Sequence, residues 1–316
     1  MQNDVSINKR QRKALNQLIL ACAAVMLLIG CSMKRAAVNL AGDAISGGGQ
    51  AYSSDDDPEF IREALPFGIK VSEGLLEESP AHRGLLLTVA KGYAVYAYLL
   101  QDEADRTEAF DFSKARTLQA RACKFYLRSR DYALRGLCIT NLSADLFEQV
   151  KARIPLTAPE DVPFLYWAAV SWAGALSAAK DDLKLISELP VPGMMARRIL
   201  QLDEAFEGGA AHEFLISYEG SRPGGSTAAA RRHFQRALDL SKSRRASVYL
   251  ALAESVAIRE QNAPEFRSLL KAALAIDPNR DPELRLSNTI ARKRAEWLLN
   301  RLADIFLDPV DTEAMP

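Results

Sequence analysis

Apolar residues recur three and four positions apart through much of the chain, the spacing of one face of an α-helix. Ile61, Ala64, Leu65, Ile69, Leu75 and Leu76 follow Asp57-Pro58, with Asp placed as a helix cap and Pro in the first turn. Pro66 predicts a kink or split near Leu65. Ser79-Pro80 repeats the start signal, and Leu85, Leu86, Val89, Tyr93, Tyr96 and Leu100 mark a helix from Ala81 to about Gln101. Tyr93, Tyr96 and Tyr98 are candidates for a ligand wall or for a core face. The next apolar series runs from Phe110 to Tyr126 and is expected to turn near Ser129-Arg130-Asp131. A last helix is expected from Pro282 to Leu307, with the basic run Arg292-Lys293-Arg294 on its solvated side.

One helix stands apart. Phe164 to Ala179 contains sixteen consecutive uncharged residues, which would span roughly 24 Å, short of a membrane crossing. Asp161 can cap its start and Lys180 follows its end, so the pattern predicts a helix enclosed on nearly all sides. Its Ala, Gly and Ser residues permit close packing. Two roles remain open, a central core element or the wall of a channel or apolar ligand cavity, lined by Trp167, Ala169, Trp172 and Gly174.

The same helical unit occurs twice further on. HFQRALDL (His233 to Leu240) and LLKAALAI (Leu269 to Ile276) align at an offset of 36 residues, with Ala237 over Ala273 and Leu240 over Ile276. A weaker copy, RRILQLDEAF, puts Leu202 38 residues before Leu240. Periods of this length with helical content predict an all-α fold of stacked helix pairs, tetratricopeptide-like, in one globular domain. The small Ala at the matched position lets two helices approach, and Asp277-Pro278 stops the second copy.

The first residues have another purpose. Lys9, Arg10, Arg12 and Lys13 precede an apolar run from Leu18 to Ile29, which ends in Leu-Ile-Gly-Cys31. That order resembles a bacterial lipoprotein signal, so residues 1–30 are expected to be removed and Cys31 to carry the lipid. Ser32, rather than Asp, after the Cys favours the outer membrane, with the body facing the periplasm. Residues 31–57 are expected to form a tether with one short helix at Val38 to Ser46, 58–308 the helical domain, and 309–316 a tail.

Composition and charge narrow the chemistry. The 316 residues are 48% hydrophobic and 25% charged, normal for a chain with a full core. The whole chain has 40 basic and 40 acidic residues; losing four basic and one acidic with the signal leaves 36 and 39, a net of −3. Nucleic-acid binding would favour the opposite balance. The basic cluster Arg231, Arg232, Arg236, Lys242, Arg244 and Arg245 reads as a solvated face. There is no glycine-rich phosphate loop, CxxC or G-x-S-x-G. His212-Glu213 begins like HExxH, but Ile216 stands where the second His belongs. Neither catalytic residues, metal ligands nor a cofactor are expected. Cys123 and Cys138 flank the expected turn, and two readings stay open: a disulfide in an oxidising periplasm, or free thiols that pack as small hydrophobes.

Five strings, DDDPEFIREALPFGIKVSEGLL (55 to 76), RDYALRGL (130 to 137), AAHEFLISYEGSRPGG (210 to 225), ALAESVAIREQNAPEFRSLLKAALAIDP (251 to 278) and RLSNTIARKRAEWLL (285 to 299), carry a resemblance. With the lipoprotein signal, they resemble the TatT family, the T components of tripartite ATP-independent periplasmic (TRAP) transporters. The resemblance runs from Val38 to Leu307. It implies a lipid-anchored tetratricopeptide-like protein that self-associates, a trimer being the expected form, around an apolar pore. Its implied partner is a periplasmic solute-binding protein, the P component of the transporter. The family's motif at 210 to 225 makes His212, Glu213, Tyr218, Glu219 and Arg222 a candidate surface. Two functions follow: docking the binding protein while delivering an apolar or amphipathic ligand, or a structural adaptor of the envelope without ligand handling.

Overall fold

The computed structural model describes residues 12–17, 34–142 and 146–307, and among these there are helices and turns but no strand. Cys31 and the tail lie outside the described residues, as does most of the signal segment. The described helices are α1 (34–47), α2 (Pro58–Glu78), α3 (Arg83–Thr107), α4 (Phe112–Gly136), α5 (Leu146–Arg153) and α6 (Val162–Ala178). They continue with α7 (Pro190–Leu202), α8 (Ala210–Ser221), α9 (Thr227–Ser241), α10 (Ala246–Leu252), α11 (Ala263–Leu274) and α12 (Arg285–Leu299). A π turn at Ala253–Ala257 prolongs α10.

Caps set several starts. The Asp57 side chain accepts from the N–H groups of Glu59 and Phe60 at the head of α2, and Ser226 accepts from Ala229 at the head of α9. The cap of α3 is His82, not Ser79, and the helix runs six residues past the expected end, to Thr107. Pro66 does not split α2. It lies on the exposed side, where water can satisfy the carbonyl that its missing N–H leaves free.

The expected turn at Ser129-Arg130-Asp131 is absent as well. Ser129 is fully buried; its hydroxyl donates to the Ala90 carbonyl (2.7 Å) and meets the Ser171 hydroxyl (2.6 Å), so it pins α4 between α3 and α6. The continuous rod places Cys123 and Cys138 roughly 20 Å apart along its axis, and both thiols are free. Of the two readings, free thiols are the one observed.

Helix pairs stack in chain order: α3 with α4, α6 with α7, α8 with α9 and α10 with α11. The second helix of each pair contacts the first helix of the next, and the first helices α3, α6, α8, α10 and α12 also touch in succession. Close approaches hold the stack: a Cβ on Gly136 would lie 2.1 Å from the Phe164 ring, and one on Gly193 would lie 2.4 Å from that of Tyr218. The repeat match is structural. Ala237 and Ala273 occupy equivalent sites on α9 and α11, and both are fully buried.

The row of pairs bends until its ends meet. Helix α12 packs on α2 and on the turn Gln50–Ser53, and Arg285 donates to the Ser54 carbonyl (2.9 Å) across 231 positions of sequence. The molecule is thus a stack of helix pairs closed on itself, with the first helices forming the inner row.

Candidate functional site

Each inner helix buries two sides against its neighbours and leaves one stripe accessible. On α3 the stripe is Leu87, Lys91, Val95 and Tyr98; on α6 it is Tyr166, Trp167, Val170 and Ala173. Both repeat at three and four residues, so each is one face. Lys91 joins the two faces: its ammonium lies 5.7 Å above the Trp167 ring and 3.5 Å from Glu207. Further along, Gln101 on α3 donates to the Ser177 hydroxyl beside α6 (3.3 Å). Tyr98 keeps 39% of its surface accessible, and burial of its phenol raises its pKa. Burial also raises the Tyr166 phenol.

The ends of the stack meet through charge. Arg294 of α12, 12% exposed, donates to Asp102 (3.0 Å) and Asp105 (2.8 Å) on α3 and to Glu254 on the π turn of α10 (2.7 Å). Burial opposes its charge, but Glu254, Tyr98 and Asp105 outweigh burial, so its pKa is raised. Arg106 shares Asp102 (2.7 Å), and Arg106, Arg294 and Arg301 all lie within 5.4 Å of the Trp297 ring centroid. Lys293 reaches Glu59 (2.7 Å), and Arg292 donates to the carbonyls of Leu274 and Ile276, which end α11. The run Arg292-Lys293-Arg294 is therefore no solvated face but three separate ties. Beside it opens a cleft of about 500 Å³ between α2, α3 and α12, lined by Arg62, Leu99, Glu103, Ile290, Glu296 and Trp297 among others.

The residues singled out in sequence divide. Trp167 and Gly174 lie on the half-exposed side of α6, although Gly174 is covered by the Tyr126 ring, 2.5 Å from where a Cβ would be. Ala169 (1% exposed) and Trp172 (0%) sit in the solid core and line no accessible space. Trp172 points instead toward the outer layer, where its indole N–H donates to Glu188 (2.8 Å) beneath the Arg130 guanidinium. Of the three tyrosines of α3, Tyr98 alone belongs to the inner stripe; Tyr93 is buried and stacks on Phe125 and Tyr132.

The motif on α8 is not an open surface either. His212, Tyr218 and Glu219 are each at least 90% buried. Glu219 is held by Arg222 (2.7 Å) and Arg197 (3.4 Å), and Glu213 by Arg245 (2.9 Å). These residues tie α8 to its neighbours. The basic cluster on and after α9 is equally engaged: Arg231 binds Glu260 and Glu265, Arg236 binds Glu204, and Arg244 binds Asp281. Among the described residues no group of His, Cys, Asp and Glu is placed to hold a metal.

His212 and His233 touch through their Nδ1 atoms (2.8 Å), while His212 Nε2 faces Glu204 (3.1 Å). Arg236 and then His212 hold the Glu204 carboxyl down at about 2. Burial, and after it His212, hold the His233 imidazole at about 4 against an ordinary 6.5; Arg232 and Arg197 add to the shift and Glu219 opposes it. A folded-state pKa below the unfolded one means that the stability from neutral His233 is complete above pH 6.5 and fades toward pH 4. Lowering the pH from 7.5 to 5 should remove at most about 2 kcal/mol through this group. Urea unfolding should show a smaller loss over that range in His233→Asn than in the native protein.

Sequence reasoning missed the seam. The signal available was Arg294 standing on the line Ile290, Arg294, Trp297, at spacings of four and three, where an apolar side chain would otherwise continue a half-buried stripe. The inner stripes of α3 and α6 were also hidden, because their neighbours in sequence are equally apolar.

The chain is similar to an uncharacterized protein of Treponema pallidum (strain Nichols), with 28% identity over 312 residues, covering 91% of this chain and 97% of the relative. The family model described as TRAP transporter T-component matches residues 54–306, from the turn before α2 to just past the short helix Leu302–Ile305 that follows α12. The chain therefore belongs to the TRAP transporter T-component family, with a role in TRAP transport at the cell envelope.

Proposed function

We propose that this T component is held by lipid at Cys31 on the outer membrane and faces the periplasm. There it docks the periplasmic solute-binding protein of its transporter and passes an apolar or amphipathic ligand along the inner face of the closed stack. The observation that carries this reading is the accessible stripe on α3 and α6, where Val95, Tyr98, Tyr166, Trp167 and Val170 stand partly exposed. Large apolar side chains left accessible on a folded body mark a ligand or partner surface. The surface spanning residues 190–280, built from the five helices α7 to α11, supplies an extended face for the binding protein. Self-association, with a trimer as its form, fits the same reading.

Val170→Trp tests it. The side chain at this position is half-exposed, so the larger ring should be accommodated by the fold while it obstructs the inner face. The expected result is an unchanged melting temperature, unchanged co-sedimentation with the solute-binding protein, and loss of transfer of the apolar dye N-phenylnaphthylamine between the two proteins. Transfer at the native rate would leave docking without ligand passage, the adaptor function.

A further inference from the structure

Helix α1 exposes an apolar face. Toward the protein, Asn39 accepts from the Ser79 hydroxyl (2.8 Å), Gly42 is buried against His82 and Leu85, and Val38 is half-buried, while the exposed Asp43 lies 3.3 Å from His82. Lys34 fastens the start of the helix to Glu78 at the end of α2 (2.6 Å). Its other apolar residues point away. Ala37, Leu40, Ala41 and Ala44 follow the i, i+3, i+4, i+7 spacing of one face, and all are exposed, Leu40 at 73%; Ile45 flanks them at 36%. A helix stabilised only by its own fold would turn this face inward.

What covers the face follows from where the chain comes from. Cys31 lies three residues before Lys34, and three residues span at most about 11 Å. A lipid on Cys31 therefore holds the first turn of α1 at the bilayer surface, too close for a second folded protein to come between them. Lys34 and Arg35 stand at this end, where the phosphates of the headgroups would lie. We propose that the outward face of α1 is a lipid-contact surface: Leu40, Ala41, Ala44 and Ile45 lie in the headgroup–acyl boundary, and the helix turns a flexible attachment into a fixed orientation of the stack. This rests on the membrane attachment at Cys31 proposed above.

The orientation has a direction. Arg83, next to the His82 that contacts α1, donates to the Gly136 carbonyl at the end of α4 and to Asp161 at the start of α6 (both 2.9 Å). These ends of the rods consequently face the membrane, and the far end of α6, followed by exposed Leu183, faces the periplasm.

The test uses the full-length lipidated protein in vesicles of phosphatidylethanolamine and phosphatidylglycerol, with and without bromine on the acyl chains. Leu40→Trp and Ala44→Trp report on the face, Leu183→Trp on the far end, and the fluorescence of the native protein is subtracted. Bromine should quench the added indole at 40 and 44 by roughly half and leave that at 183 unchanged. Vesicle-bound protein whose indoles at 40 and 44 escape bromine but are quenched by aqueous iodide would put the face in water and overturn the proposal. Indoles shielded from both quenchers would mean that protein, such as a second copy, covers the face, and would overturn it too. Protein that does not float with the vesicles would refute the anchor at Cys31 and this surface with it.

Discussion

Arg294→Ala is expected to destabilise the protein by about 3–5 kcal/mol, read as a fall in the midpoint of urea unfolding. The size follows from what is left behind. Asp102, Asp105 and Glu254 converge on one guanidinium that is 12% exposed. Removing it leaves three carboxylates close together, with Arg106 on Asp102 as the remaining cation. Repulsion among them then adds to the loss of the hydrogen bonds. The expected rescue identifies the cause: Asp102→Asn and Asp105→Asn together should restore a substantial part of the stability lost in Arg294→Ala, whereas in the native background they should destabilise. A loss below about 1 kcal/mol, the value of an exposed ion pair, would show that the ends of the stack are not held here.

Trp172→Ala is expected to cost about 3–5 kcal/mol as well, by a different route. The indole is fully buried on α6, against helices on both sides, and its N–H satisfies Glu188. Truncation opens a cavity the size of a bicyclic ring and frees a partly buried carboxylate. Trp172→Phe should retain most of the packing and lose the hydrogen bond, a smaller loss of about 1–3 kcal/mol. If Trp172 lined an accessible channel, as its sequence context allowed, water would fill the space and Trp172→Ala would be nearly neutral. Chemical denaturation of the two variants decides between these outcomes.

These two positions show which parts of the fold were legible. The copies on α9 and α11 were readable because their signal is local: Ala237 and Ala273 sit in apolar series that stay within a single helix, and both are buried. The α6 face was not readable, since a helix that is apolar all round has no periodicity to reveal which side is solid core and which is accessible. Ala169 and Val170 are adjacent and equally apolar, yet one is enclosed and the other half-exposed. The α4 rod defeated a local turn signal because Ser129 found buried partners on two other helices, so tertiary context outweighed composition. Arg294 and its carboxylates were hidden for a related reason. Opposite charges separated by 192 positions leave no mark in any window of sequence.

Closure of the stack also changes the order in which the protein can be made. An open solenoid can add each pair to the previous one as the chain emerges, with every contact close in sequence. Here α3 is complete well before Arg294 is synthesised, and its Asp102 and Asp105 stay solvated until the C-terminal helix is delivered. The last event of folding is thus the joining of the two ends of the helical domain. Because Pro58 at the head of α2 and Asn300 just after α12 line the same cleft, a linker joining the ends of the helical domain, with a new opening at the loop after α9, would preserve every pair while making the seam an early, sequence-local contact.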